Sequence, residues 1–267
     1  MISCRQLPYL ALLLFSCEAW ISPSTTVPSF RKSLSRCHES SSSNTKSYDF
    51  PPPLVWNVDY EDLKKTLIPM EECLQAKETW NWCRNFIVPM QLCPWARKSL
   101  ETTSALQIYV PSVSTTNNPK KEQKTRVVKD VALAFRDYIQ EFPALESTAI
   151  FFIIFPDKMT DLSSSSSFMD FYEWFEQLED DWDIDEVTVA AFSPDWQFGD
   201  DTEETLSLEF EKKSPHPTIT LVSTKVIEQA GPAATEQISD QNYDTLTQKS
   251  PSELQQLWQE SISESWE

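Results

Sequence analysis

The chain has 267 residues, 40% of them hydrophobic, and a formal net charge of −19, which is ample apolar material for a folded core. With 41 acidic against 22 basic side chains it repels polyanions, and its tryptophans lack the interleaved cations that would offset this, so a nucleic-acid partner is not expected. Gly199 and Gly231 are the only glycines and His216 the only His past residue 38. Glycine-rich dinucleotide loops, the P-loop, the GxSxG elbow and a His-based zinc site therefore cannot be built, and no cofactor or metal is expected.

Residues 1–19 combine Arg5, the apolar stretch LPYLALLLFSC and small Cys17 and Ala19 ahead of a cleavage point. That is the composition of a secretory signal peptide, too short for a membrane span. Residues 20–38 then carry Arg31, Lys32 and Arg36 among many Ser and Thr, with no acid until Glu39, as a transit peptide does. Trp20 directly after the junction CEA resembles the bipartite plastid leader of diatoms and related algae, which implies import into a plastid. The other reading is a secreted protein with a Ser-rich stem. Cys73, Cys83 and Cys93 remain after the leader, an odd set without CxxC that suits a reducing lumen better than a disulfide framework.

The Pro-rich SYDFPPPLVW closes the transit and linker segment, residues 20–50, and one folded domain is expected from Leu54 to residue 265. Cys73, Ala76, Trp80, Cys83 and Ile87 are spaced for one stripe of a helix over 71–88, which Pro89 disturbs before the turn QLCPWA. LQIYV (106–110) reads as a strand, and Val127, Val128, Val131, Ala134, Phe135 and Tyr138 mark a second helix. AIFFIIF (149–155) is a continuous apolar run, expected as a strand buried on both faces. SSSSS reads as a loop; Phe168, Phe171, Phe175 and Leu178 form a third helix face; VTVAAF and PTITLVS are further strands. A helix near 225–230, a variable connection of some 20 residues, and a final helix 251–263 capped by Ser250 with Pro251 and Glu253 complete the order. The expected fold is α/β: a four-stranded, mostly parallel mixed sheet flanked by helices, with one antiparallel strand.

An antiparallel connection between the last two strands brings FSPDWQF and KKSPHPT to one rim, where prolines stiffen the backbone. Asp195, Trp196 and Gln197 then neighbour Lys213, Ser214 and His216, at a carboxyl edge of the kind where α/β sheets bind ligands. Asp195 and His216 have the residue types of an orienting carboxylate and a general base; equally, Asp195 caps a turn and His216 is packing. Cys93, with Arg97 and Lys98 one turn away, is a candidate nucleophile or thiol switch, or a packed thiol. The acidic EWFEQLEDDWDIDE lacks the Gly and terminal Glu of a calcium loop and reads as a solvated helix end.

FSPDWQF, KKSPHPTITLVS and QLCPWA resemble the three signature segments of a mainly bacterial family known as domain of unknown function 1415, over residues 75–230. Asp195, Gln197, Ser214, Pro215, Pro217 and Cys93 match the pattern. Ser193 stands where the pattern has a His, Lys212 and Lys213 where it has Asn and Arg, Thr220 at a second His and Ser223 at an Arg. The resemblance implies the domain and its site without a reaction, and the departures remove groups able to hold an anion or move a proton. Two functions follow: a plastid protein with a polar rim pocket for a small ligand, able to host cofactor-independent catalysis, or a non-catalytic protein that meets a basic partner through its acidic, Trp-rich surface, with Trp182 and Trp196 as anchors.

Overall fold

A computed structural model describes residues 50–112, 119–155, 165–199 and 201–263, the side chains of 165–169 excepted. The expected signal and transit segments lie outside these residues. The sheet has six strands, β1 Leu54–Val58, β2 Lys65–Ile68, β3 Leu106–Pro111, β4 Ile150–Ile154, β5 Val187–Phe192 and β6 Thr218–Ser223. They lie in the order β2-β1-β3-β4-β6-β5. All four expected strands are present, and the α/β class holds. The strand count is corrected by the hairpin β1–β2, whose turn has no glycine to announce it: Asp59 Oδ1 accepts the N–H of Glu61 at 2.7 Å and of Asp62 at 3.2 Å, and Leu63 takes a positive φ of 57°. β1, β3 and β4 are parallel; β6 runs against both β4 and β5, and β2 against β1, so two strands are reversed and not one.

Helices cover both faces. On one, α4 Lys121–Glu141 and α5 Ser165–Asp180 pack on Tyr109, Phe151, Val189 and Ile219. Phe135 of α4 meets Phe151 edge to face at 4.9 Å. On the other lie α1 Leu74–Trp82, α3 Ala96–Glu101, α6 Glu203–Leu208, α7 Thr224–Thr247 and α8 Pro251–Ser263. β3 and β4, in the middle, are buried along their whole length, which is why their sequences are continuous apolar runs.

The first helix is not uniform. α1 opens into a π turn, Cys83–Ile87, before the short α2, Val88–Met90, in which Pro89 sits. Proline has no N–H for the α pattern and its ring crowds the carbonyl four residues back; widening the preceding turn accommodates both. The expected stripe survives, with Cys73, Ala76, Trp80, Cys83 and Ile87 all buried.

The last third holds more helix than its sequence suggests. The expected variable connection is instead the second arm of α7, which breaks at Gly231 (φ 75°, ψ 168°) and resumes at Pro232. Ser250 Oγ accepts the N–H of Glu253 at 3.2 Å and so caps α8, whose far end docks on the first helix through Asn81 Nδ2 to Ile262 O and Asn85 Nδ2 to Ser261 O. The Glu253 carboxylate turns to Lys249 Nζ at 2.8 Å.

Phe151→Ala, which empties the centre of one face, is expected to cost about 3–5 kcal/mol. Ser250→Ala, which removes only a cap, is expected to cost about 1 kcal/mol. Denaturant unfolding of the two variants measures both.

Candidate functional site

β5 runs directly into FSPDWQF, and KKSPHPT leads directly into β6. Phe192 is paired with Thr218 across the antiparallel ladder, and the Ser193 N–H donates to Lys212 O at 3.1 Å. The two turns therefore meet at one edge, which is also the carboxyl edge of β1, β3 and β4. α6 intervenes between β5 and β6 without changing that antiparallel relation.

The rim is packed more than it is open. Ser214 is fully buried and its hydroxyl donates to His216 O at 2.6 Å; Thr218 Oγ1 donates to the same carbonyl at 2.8 Å. These bonds fix the turn and turn the imidazole inward. His216 Nε2 lies 2.6 Å from Glu78 Oε2, on α1, 138 residues away in the chain. The carboxylate beside the imidazole is thus Glu78, where the sequence pointed to Asp195. Asp195 faces solvent, its N–H 3.4 Å from Ser193 Oγ, and Gln197 is exposed beside it.

The other expected rim residues are engaged within the fold. Lys213 Nζ is 3.0 Å from Glu209 Oε2 and stands over the Phe210 ring at 4.5 Å. Trp196 is buried edge-on against Tyr172 at 5.9 Å. The Trp182 indole N–H donates to Val187 O at 2.8 Å. Trp196 is thus part of the core, and Trp182, half-buried, packs against the same cluster. In the acidic stretch, Asp183 is held by Lys129 Nζ at 2.8 Å. No three His, Cys, Asp or Glu side chains among the described residues group to hold a metal.

Behind the rim lies a cavity of about 160 Å³ between the sheet and the segment that runs from Trp82 through α3, closed by the second arm of α7. Cys93, Phe192, Phe198, Lys212, Thr220 and Asn242 are among its wall residues. Each of the three segments QLCPWA, FSPDWQF and KKSPHPTITLVS supplies part of that wall. Most of the remaining lining is aliphatic or aromatic.

Three of the ionisable groups at the site, Lys212, Glu179 and Cys93, are displaced by burial. The Lys212 ammonium sits 5.4 Å from the Phe192 ring and 5.9 Å from that of Trp196. Burial pushes its pKa down, while Glu211 and Glu179 pull it back up. Glu179, at the end of α5, is pushed up to about 8, chiefly by burial; Lys212 opposes that rise, and Glu176 and Asp180 add to it. Burial also pushes the Cys93 thiol up, against the pull of the Trp95 and Ala96 N–H groups. That direction is opposite to the one a thiolate nucleophile needs.

Lys212, Thr220 and Asn242 were absent from the sequence-based site. The first two had a signal, as departures within a recognisable segment. Asn242 had none, since only the fold of α7 brings it to the wall.

A family model described as Protein of unknown function (DUF1415) matches residues 75–256. The chain belongs to that family. No curated protein and no solved structure matches the chain. The span matched to DUF1415 starts within α1 and ends within α8, so it includes the cavity wall and the Glu78–His216 pair and leaves the β1–β2 hairpin outside.

Two outcomes test this geometry. A double-mutant cycle on Glu78→Ala and His216→Ala is expected to give a coupling of about 1–2 kcal/mol in unfolding free energy, whereas Asp195→Ala with His216→Ala is additive. For Glu179, the folded-state pKa is raised above the unfolded value, so the unfolded chain loses its proton first. Stability from this group is complete below pH 4.5 and declines as pH rises towards about 8. Glu179→Gln is expected to flatten that decline in a pH series of thermal melts.

Proposed function

We propose that this chain is a small-ligand-binding protein whose ligand occupies the cavity behind the β5–β6 rim. The observation that carries the reading is the convergence of QLCPWA, FSPDWQF and KKSPHPTITLVS, the first of them far from the other two in the chain, on the wall of that one cavity. Ligand sites are concave and mostly apolar with a few placed polar groups, as this cavity is; its wall runs from Phe192 at the carboxyl end of β5 to Leu106 and Ile150 at the amino ends of β3 and β4. The rim itself serves as support: Ser214, His216 and Glu78 hold the KKSPHPT turn, while Asp195 and Gln197 face outward at the edge. An interaction role built on Trp182 and Trp196 is disfavoured because both indoles are used inside the fold.

The leader supports a plastid address for this activity. Among the described residues no helix is long and apolar enough to cross a membrane. A fusion of residues 1–50 to a fluorescent protein is expected to reach the plastid in a diatom; arrival in the medium would mark the leader as purely secretory.

The binding test is a thermal-shift screen of the full chain against small ring compounds, because a ligand that binds only the folded form raises the melting point. Hits are expected, and Ala190→Phe, which projects a ring from β5 into the cavity, is expected to abolish them. Hits that survive Ala190→Phe but vanish in Asp195→Ala or Gln197→Ala would move the site to the outer rim. A screen without hits would end the reading.

A further inference from the structure

β6 is paired on both sides over Thr218–Leu221, yet its two faces are not covered alike. Ile219 and Leu221 are fully buried, whereas Thr220 and Val222, on the side of the other helical layer, are only half-buried. Phe192, at the end of the neighbouring β5, is half-buried as well, and all three line the cavity. The helices of that layer therefore leave part of the sheet uncovered, and these side chains form an accessible floor. What the floor presents is carbon. The Thr220 hydroxyl oxygen is itself covered, so the side-chain surface that this residue keeps belongs to its carbon atoms.

The polar groups of the wall are withdrawn in the same way. Trp82 Nε1 and Asn242 Oδ1 are covered too, and Asn242 Nδ2 donates to Leu92 O at 3.1 Å and to Glu211 Oε1 at 2.9 Å. Thr235 Oγ1 donates to Gly231 O at 3.1 Å, at the break in α7. The Lys212 ammonium stands 5.4 Å from the Phe192 ring and 5.9 Å from that of Trp196. Glu211 and Lys212 are both wall residues, so neither sign of an ionic ligand is favoured. A polar group brought into this space gives up its water and finds these partners engaged or covered. A hydrocarbon gives up nothing of the kind.

The wall also sets size and shape. Trp82, Trp95, Phe152, Phe192 and Phe198 bring aromatic rings to it, with Trp82 edge to face against Phe192 at 6.1 Å. Rings pack well on the edges and faces of other rings. An apolar cavity of ~150 Å³ takes up a molecule of benzene size, and this cavity is about 160 Å³. Resting on the cavity as the ligand site, we propose that it selects a compact apolar ring, a hydrocarbon that carries no charge and no hydrogen-bonding group. Selection comes from the desolvation of any polar group the ligand would bring, with no wall contact to replace the water.

The test is calorimetric titration of the full chain with toluene, phenol, benzoate and benzylamine, which share one ring and differ in the attached group. Toluene is expected to bind at least about tenfold more tightly than each of the other three. Thr220→Val, which exchanges a covered hydroxyl for a methyl group, is expected to leave that order and the toluene affinity unchanged, and Ala190→Phe to abolish toluene binding. Phenol as tight as toluene, or phenol weakened by Thr220→Val, would overturn the apolar selection and leave the cavity reading standing. Benzoate or benzylamine as the tightest probe would overturn it equally. Toluene binding that survives Ala190→Phe would place the ring elsewhere on the molecule. Failure of all four to bind would overturn both this inference and the cavity as a ligand site, and the comparison of probes on the parent chain holds even where a variant does not fold.

Discussion

The structure depends on the insertion of β6, reversed, between β4 and β5. Four residue pairs join it to β4 and six to β5, so it is paired on both sides over Thr218–Leu221 and to β5 over its whole length. A parallel strand in this place would need a crossover and would carry the chain to the opposite edge. Reversal instead lets the connection from β5 return to the edge it left, and KKSPHPT arrives beside FSPDWQF. The same strand presents Thr220 and Val222 to one helical layer and Ile219 and Leu221 to the other, so the cavity wall and the opposite core are two sides of one element.

Around that strand the polar groups divide into two kinds. At the rim, hydrogen bonds close locally: Ser214 and Thr218 both serve the His216 carbonyl, and Glu78 reaches across from α1 to the imidazole. Such satisfied contacts stiffen a turn and leave it little to offer a ligand. One layer deeper, the cavity wall is mostly aliphatic and aromatic, with few polar side chains such as Lys212 and Asn242 among it. Chemistry-bearing residue types at an edge are therefore a guide to the neighbourhood of a site more than to its contents. In this DUF1415 member the rim is the frame and the cavity is the opening.

Much of the architecture was legible because burial writes itself into local sequence. AIFFIIF, bounded by turn signals, read as a strand covered on both faces, and the spacing from Cys73 to Ile87 specified a buried stripe even though a π turn interrupts it. Ser250, Pro251 and Glu253 located the start of α8 to the residue. Where the physics was not local, the sequence was silent. The β1–β2 hairpin turns on an Asp side chain and a left-handed Leu, without the usual Gly or Asn-Gly. The second arm of α7 is largely polar and follows Gly-Pro, so it carries the punctuation of a loop while its helix is held by contacts such as Asn242 to Leu92. Glu78 could not be joined to His216 from the chain, because 138 residues separate them and Glu78 stands in no motif.

The break at Gly231 has a consequence for how this fold can change. Its backbone angles lie where a side chain is strained, yet a methyl group placed there would touch nothing within 4 Å, so the restriction is torsional and not steric. The first arm of α7 is anchored to the end of β6, while the second carries Thr235, Ile238, Ser239 and Asn242. One residue thus separates the part of the helix that must keep faith with the sheet from the part free to diversify. Over evolutionary time, or in the hands of an engineer, the chamber can be retailored from beyond that joint while the scaffold stays as it is.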